Sequence, residues 1–218
     1  MSVKYCSYTK PVISKIYCSS SETVLVVRRR PHVISGGGFV VTDCSQKVVF
    51  RVEGCGVVGT NGELIVRDVN GDAVLLIRRK GGMVQALSLH RKWKGYAYGY
   101  EGSQKQVFSL KEPKPNSSCL LTNNVIAIRV STDHNETTGS SKSWSNFEIK
   151  GYFPDRDCSI VDSVSNSIVA QVTMNLNMKA TIASKDVYYV VVKPGMDQAF
   201  VVGVIATLDH IYGESTVC

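Results

Sequence analysis

The stretch "PGMDQAFVVGVIATLDHIYG", Pro194 to Gly213, sets the tightest limit on what this chain can fold into. From Ala199 to Leu208 ten consecutive residues carry no charge and almost no polarity. Pro194 can close the element before it, and Asp197 stands where a helix cap or first-turn acid belongs, so the segment reads as a helix from about 196 to 211. A helix that is apolar on every face must be enclosed on every face. Ten residues rise only about 15 Å, roughly half the hydrocarbon thickness of a bilayer. The stretch is too short to span a membrane and too apolar for a surface, so protein must wrap it.

The wrapping material is strand-forming. From Glu22 to about Val192 short β-branched runs alternate with turn residues. "TVLVVRRRP" is a strand ended by proline, and "GGGFVVTDCSQKVVFRVEG" is two strands around a polar turn. "GELIVRDVNGDAVLLIRRKGG" repeats that design around "NGD", a strong hairpin signal. The two hairpins align with Phe39 on Leu64, Asp43 on Asp68 and Val49 on Val74. A third copy, "CSIVDSVSNSIVAQVTM", puts Asp162 in the same place before a slightly longer turn. An aspartate opening a turn bonds backbone amides two or three residues on, and that use accounts for all three without a catalytic role. Repeated hairpins imply a meander closed on itself, which removes exposed sheet edges. The expected fold is mainly β: a closed antiparallel barrel around one buried C-terminal helix.

One domain is expected over residues 22–213, after an N-terminal extension of residues 1–21 and before a short tail, 214–218. "KEPKPNSSC" from Lys111 is a candidate hinge, and "STDHNETTGSSKSWS" from Ser131 is a long polar loop. Strands resume beyond both, so neither divides the domain. Apolar content of 44% is ample for a core, and a domain of this size buries about 70% of its unfolded surface. Seven cysteines at irregular spacing, with no CxxC pair, argue against both a disulfide framework and a zinc site. The opening "MSVKYCSYTKPVISKIYC" has no apolar run of signal-peptide length. A cytoplasmic or nuclear setting with reduced thiols is expected, with peripheral attachment at the plasma membrane as the alternative, the sequons at Asn116 and Asn135 unused and no secretion.

The C-terminal "VKPGMDQAFVVGVIATLDHI", preceded by "FEIKGYFPDRDCSIVDSVSNSIVAQV", "AVLLIRRKGGMVQALSLHRKWKGY" and "GGFVVTDCSQKVVFRV", resembles the plant LURP-one-related family over about Val24 to Tyr212. No single motif is diagnostic; their order and spacing carry the resemblance. It implies the tubby C-terminal-like fold, a closed barrel of about twelve strands threaded by one hydrophobic C-terminal helix. The wider superfamily holds tubby proteins, whose barrels bind phosphoinositides through exterior basic residues and which act as membrane-tethered transcription regulators. It also holds phospholipid scramblases, linked to calcium and lipid movement. Family members are linked to plant defence. Fold alone does not carry any of these functions to this chain.

The net charge of +7 favours anionic partners, and the basic clusters are the candidate site. Arg78, Arg79 and Lys80 end the second hairpin; Arg91, Lys92 and Lys94 follow in "HRKWKGY"; Arg28, Arg29 and Arg30 form a third group. Alternate strand residues share a face, so Arg78 can act with Lys80 and Arg28 with Arg30; the candidates are Arg78, Lys80, Arg91, Lys92 and Lys94 first, and Arg28 with Arg30 second. Arg forks and Lys ammoniums suit phosphate, and the Trp93 ring would sit at a headgroup boundary. Positive charges at strand ends also serve simply to keep edges from pairing. The expected partners are therefore anionic phospholipid headgroups, phosphoinositides among them, or unidentified proteins on a scaffold without a lipid role. Nothing points to sequence-specific DNA recognition: no helix-turn-helix, zinc finger or basic region is present.

Calcium is disfavoured, because "ASKDVYYVVVKPGMD" before the helix offers only Asp186 and Asp197, and calcium takes about six to eight oxygens. That departure also weighs against scramblase-like activity. Enzyme signatures are missing, with no GxSxG, HExxH, P-loop or dinucleotide turn, and "GGG" at Gly36 to Gly38 precedes a strand. His32, His90, His134 and His210 are isolated, and a pair such as Cys158 with a histidine would need an accessible, electropositive setting. No cofactor, metal or catalytic residue is expected.

Overall fold

A computed structural model of the chain describes residues 11–30, 37–54, 62–80, 92–99, 102–112, 126–131, 144–174 and 186–212. The hinge and polar-loop segments, 113–125 and 132–143, lie outside the described residues, as do Arg91, His32, His90 and His134. Among the described residues the strands are β1 (Thr23–Arg29), β2 (Gly38–Thr42), β3 (Val48–Glu53), β4 (Glu63–Arg67), β5 (Ala73–Arg79), β6 (Lys92–Tyr98), β7 (Gln104–Lys111), β8 (Ile126–Ser131), β9 (Trp144–Tyr152), β10 (Asp157–Asp162), β11 (Ile168–Thr173) and β12 (Val187–Val192). Each pairs antiparallel with the next, and β1 returns to β12 with Thr23 opposite Val192 and Arg28 opposite Val187. The sheet is a closed barrel of twelve strands, as the sequence led one to expect.

Strand alternation decides what fills it. Leu25 and Val27 on β1, Phe39 and Val41 on β2, and Leu75 and Ile77 on β5 all point inward and are almost fully buried. They close around α1 (Gln198–Ile211), in which every residue from Ala199 to Asp209 is buried. Phe200 meets Phe108 edge-on, with ring centroids 5.6 Å apart, and Phe147 at 5.5 Å. Thr207 cannot reach water, and its hydroxyl donates to the Gly203 carbonyl one turn back at 2.8 Å.

Gly203 lets the helix lie close to the wall. A Cβ there would fall inside contact distance of Leu75 Cδ2, with Ile77 Cδ1 and Phe108 Cε1 each at 3.7 Å. Alanine would gain about 1 kcal/mol of helix propensity, and Leu75 can partly swing aside. Valine presses on all three walls, and overpacking of that kind costs about 1–3 kcal/mol. Gly203→Val is therefore expected to lose about 2 kcal/mol of unfolding free energy, with Gly203→Ala near neutral. Urea denaturation of both would check it, and an unchanged valine midpoint would contradict the close approach.

The repeated hairpins share one construction. In each, the aspartate carboxylate caps the turn: Asp43 Oδ1 accepts from Ser45 N and Lys47 N, Asp68 Oδ1 from Asn70 N and Asp72 N, and Asp162 Oδ1 from Val164 N and Ser165 N. The Ser45 hydroxyl, with these amides, holds the Asp43 carboxyl below its ordinary range. The chain then turns back through a left-handed residue, Gln46 at φ 66°, Gly71 at φ 88° and Asn166 at φ 51°. Each returning strand next carries one unmatched residue, Val49, Val74 and Val169, where the register shifts. Such bulges add local twist, and twist is what a closing sheet needs.

The helix N-terminus is tied to the start of the chain. Asp197 is its N-cap, one place before the first helical residue, and Oδ1 accepts from Phe200 N at 3.1 Å. Oδ2 accepts from Val12, Ile13 and Ser14 N at 3.1, 2.7 and 3.0 Å. Burial pushes this carboxyl up from its ordinary range while the four amide donors pull it back. A short turn at Lys15–Tyr17 follows, and the Tyr17 ring packs on Phe50 at 5.5 Å. Residues 11–19 thus lie across this end of the barrel. The opposite end receives the helix C-terminus, where Tyr212 stacks on Phe153 at 6.2 Å.

Candidate functional site

The sequence "AVLLIRRK" makes β5 by alternation, with Leu75 and Ile77 inward, so Arg78 must point outward at the strand's end. "KWKGYAY" makes β6 with Trp93 inward, so Lys92 and Lys94 flank it on the outside. Register then brings these two strands' cations together. Arg78 lies directly opposite Lys94, and the Lys80 amide donates to the Lys92 carbonyl at 2.8 Å. Arg78, Lys80, Lys92 and Lys94 thus share one exterior face near the helix C-terminus, and Lys80 and Lys92 are exposed.

Two further cations join them across the next strands. Lys92 is opposite Lys111 of β7, and Lys94 is opposite Ser109, whose other neighbour is Arg129 of β8. Facing side chains on adjacent strands sit about 5 Å apart, so these six cations occupy a four-strand span roughly 15 Å wide. Sequence reasoning missed Lys111 and Arg129 because each stands alone in its run; only strand register reveals the gathering. The face is not uniformly positive. Arg78 Nε donates to Glu63 Oε1 at 2.6 Å, and its Nη1 reaches Gln104 Oε1 at 3.4 Å. Among the described residues Lys80, Lys92, Lys94, Lys111 and Arg129 enter no such ion pair.

Like charges directly opposite each other destabilise a sheet, and this barrel sets Arg78 against Lys94 and Lys92 against Lys111. An anion laid across the face would relieve both contacts, and the exposed ammoniums can reach it without rearrangement of the backbone.

The remaining candidates lie elsewhere. Arg28 is exposed on β1, separated from β5 by β2, β3 and β4. Arg30 is half-buried, and its Nη2 donates to the Val52 carbonyl at 3.0 Å. That reach depends on Gly38, because a Cβ there would overlap the Val52 carbonyl oxygen and crowd the guanidinium. Arg30 therefore completes the end of the β2–β3 ladder. Trp93 does not meet a headgroup boundary: its ring faces inward at 1% exposure, because it alternates with the two outward lysines. Its Nε1–H donates to Glu112 Oε1 at 2.7 Å, and the ring meets His210 edge-on at 4.8 Å.

The two acids available for calcium are already engaged. Asp186 pairs with Arg29 at 3.3 Å, and Asp197 accepts four amides. Burial pushes the Cys158 thiol up to about 12, so at neutral pH it has little thiolate with which to attack anything. Cys18, pushed up to about 11 chiefly by burial, is little better placed. No described helix is long and apolar enough to cross a membrane.

Comparison with known proteins gives a consistent result. Residues 23–209 match the family model described as LURP-one-related. The Arabidopsis thaliana protein LURP-one-related 6 is 57% identical, covering 96% of this chain and 100% of the relative. LURP-one-related 16 from the same plant is 49% identical, covering 95% of each. Among solved structures, the X-ray structure of an Arabidopsis thaliana protein aligns with a TM-score of 0.61 over 93% of this chain and 98% of that one. At 21% identity that last likeness speaks to the fold alone.

Proposed function

The chain belongs to the LURP-one-related family, and from that premise we propose that its barrel is a non-enzymatic binding domain that docks on anionic phospholipid headgroups. Arg78, Lys80, Lys92 and Lys94, joined by Lys111 and Arg129, are the contact residues; phosphoinositides, with several phosphates on one ring, are the headgroups best matched to cations spaced about 5 Å apart. The observation that carries the reading is the pairing of cation against cation in register, which costs stability in the free protein and is relieved by a bound polyanion. Docking of this kind would make the protein a membrane-tethered regulator in signalling or transcription, with plant defence as its setting. Arg91, the remaining member of this cluster in the sequence, lies outside the described residues.

Each Lys or Arg near an anionic surface contributes about 1 kcal/mol. Replacing Arg78, Lys80, Lys92 and Lys94 together by glutamate is expected to weaken binding to phosphoinositide-bearing vesicles by about 10³-fold or more. The wild-type interaction should also fade as salt is raised, since exposed charges are screened within about 8 Å at physiological ionic strength. Vesicle flotation measures both. Equal flotation on neutral and phosphoinositide-bearing vesicles would sink the lipid reading. Unchanged cellular localisation of the fourfold variant would favour a scaffold that works through proteins alone.

A further inference from the structure

The exterior of the barrel opposite the cation face departs from inside-apolar, outside-polar alternation. Val24 and Val26 of β1, Val40 of β2, and Val187, Tyr189 and Val191 of β12 all occupy outward positions. Register sets those of β1 and β12 side by side, with Val24 facing Val191 and Val26 facing Tyr189; on the β2 side Thr42 faces Val26, and Arg28 lies between Val187 and Val40. All six are half-buried, and none belongs to the interior core or packs against it. Continuous runs such as "VLVV" and "VYYVVV" are the mark of strands covered on both faces. β6 shows the contrast, placing Lys92, Lys94 and Tyr96 outside.

Four occupants compete for such a face, and the geometry separates them. The patch spans three strands and about five residues, roughly 200–300 Å², against about 800 Å² per partner in a standard interface. Two convex barrels would bury still less of it, and a second copy would bring Arg28 and Arg51, both exposed at its margin, towards their own images. A bilayer is disfavoured by position. β1 and β7 stand six places apart whichever way the ring is followed, so one flat membrane cannot touch this face and the cation face together. That single exclusion rests on the lipid reading above. An added strand has nothing to pair with, because a closed barrel has no edge. What fits the area is one helix packed face-on, and the margin cations Arg28 and Arg51 call for carboxylates on it.

We infer that the outer face of β12, β1 and β2 docks a single amphipathic helix of a protein partner, apolar on the side it presents and acidic along one flank. Panning a phage-displayed library of helical peptides on the full chain tests this. The peptides enriched should carry one apolar stripe bordered by aspartate or glutamate. A Val26→Lys, Tyr189→Lys double variant should bind them at least about tenfold more weakly, the size of effect expected of central interface residues. Arg28→Glu should weaken them less, and the fourfold cation-face variant should bind them as wild type does. If the double lysine variant does not fold, as judged by near-ultraviolet circular dichroism, Val26→Thr with Tyr189→Thr takes its place, since threonine suits strands. The proposal is overturned if no peptide is enriched, if the enriched peptides bind the variants equally, or if they are basic. It is overturned equally by a wild-type dimer that the double variant abolishes, or by loss of vesicle flotation in the double variant, which would make the face a lipid surface. Vesicle flotation lost only in the cation-face variant, with peptide binding intact, leaves the two sites independent.

Discussion

A chain ending before Pro194 is expected to be insoluble and without cooperative structure. The deleted segment includes α1, in which Phe200, Val201, Val202, Val204, Ile205 and Leu208 are each at most 1% exposed. Fully burying a large apolar side chain stabilises by about 1.5–3 kcal/mol, so these six alone contribute on the order of 10 kcal/mol. Whole domains are stable by only about 5–15 kcal/mol. Removal would also leave Phe39, Leu75, Phe108 and Phe147 lining a void along the barrel axis, and their facing strands have no other material to close upon. Expression and circular dichroism of the truncated chain check this. Soluble, folded protein would show that the strands can form a barrel on their own, and would remove the helix from its place as the core.

The second large effect is expected at Asp197. Its two carboxylate oxygens serve four backbone donors, one in the helix and three in the segment 11–19. Asp197→Ala removes an N-cap, worth about 1 kcal/mol, and strands Val12, Ile13 and Ser14 amides at about 1–3 kcal/mol for each that water cannot reach. Together the loss should be about 3–5 kcal/mol. Asp197→Asn keeps one acceptor and should fall between. Urea midpoints rank the three proteins, and limited proteolysis locates the damage, because residues 11–19 should become cleavable before the barrel does. An alanine variant within about 1 kcal/mol of wild type would mean the tie is dispensable.

These two positions also mark how much was legible in the residues. The helix was plain because "AFVVGVIATL" permits only a fully enclosed element, and Asp197 ahead of that apolar run read as either cap or first-turn acid, of which the structure selects the cap. The turn aspartates were equally plain, since Asx bonding is local. The bulges at Val49, Val74 and Val169 were present in the repeat but not readable as bulges, because an extra residue is defined only against its partner strand. The three amides that meet Asp197 come from more than 180 residues away, and nothing in "PVIS" announces them. The candidate site was half visible for the same reason. Runs such as "IRRK" and "RKWK" declare themselves, whereas Lys111 and Arg129 acquire meaning only from register. Trp93 was misplaced because its lysine neighbours coloured the reading of a residue whose parity turns it inward.

Closure of β1 upon β12 has a consequence for how the protein is made. The first strand waits for the last, and the helix around which all twelve are arranged leaves the ribosome after every one of them. Until then the growing chain holds hairpins with apolar faces and nothing to lay them on. Pairings of such long sequence separation form slowly, and unfinished sheets are the species that aggregate. Nascent chains stalled just short of Pro194 should accordingly be chaperone clients, and the protein's yield in a cell should depend less on its final stability than on how quickly the segment carrying α1 follows the strands.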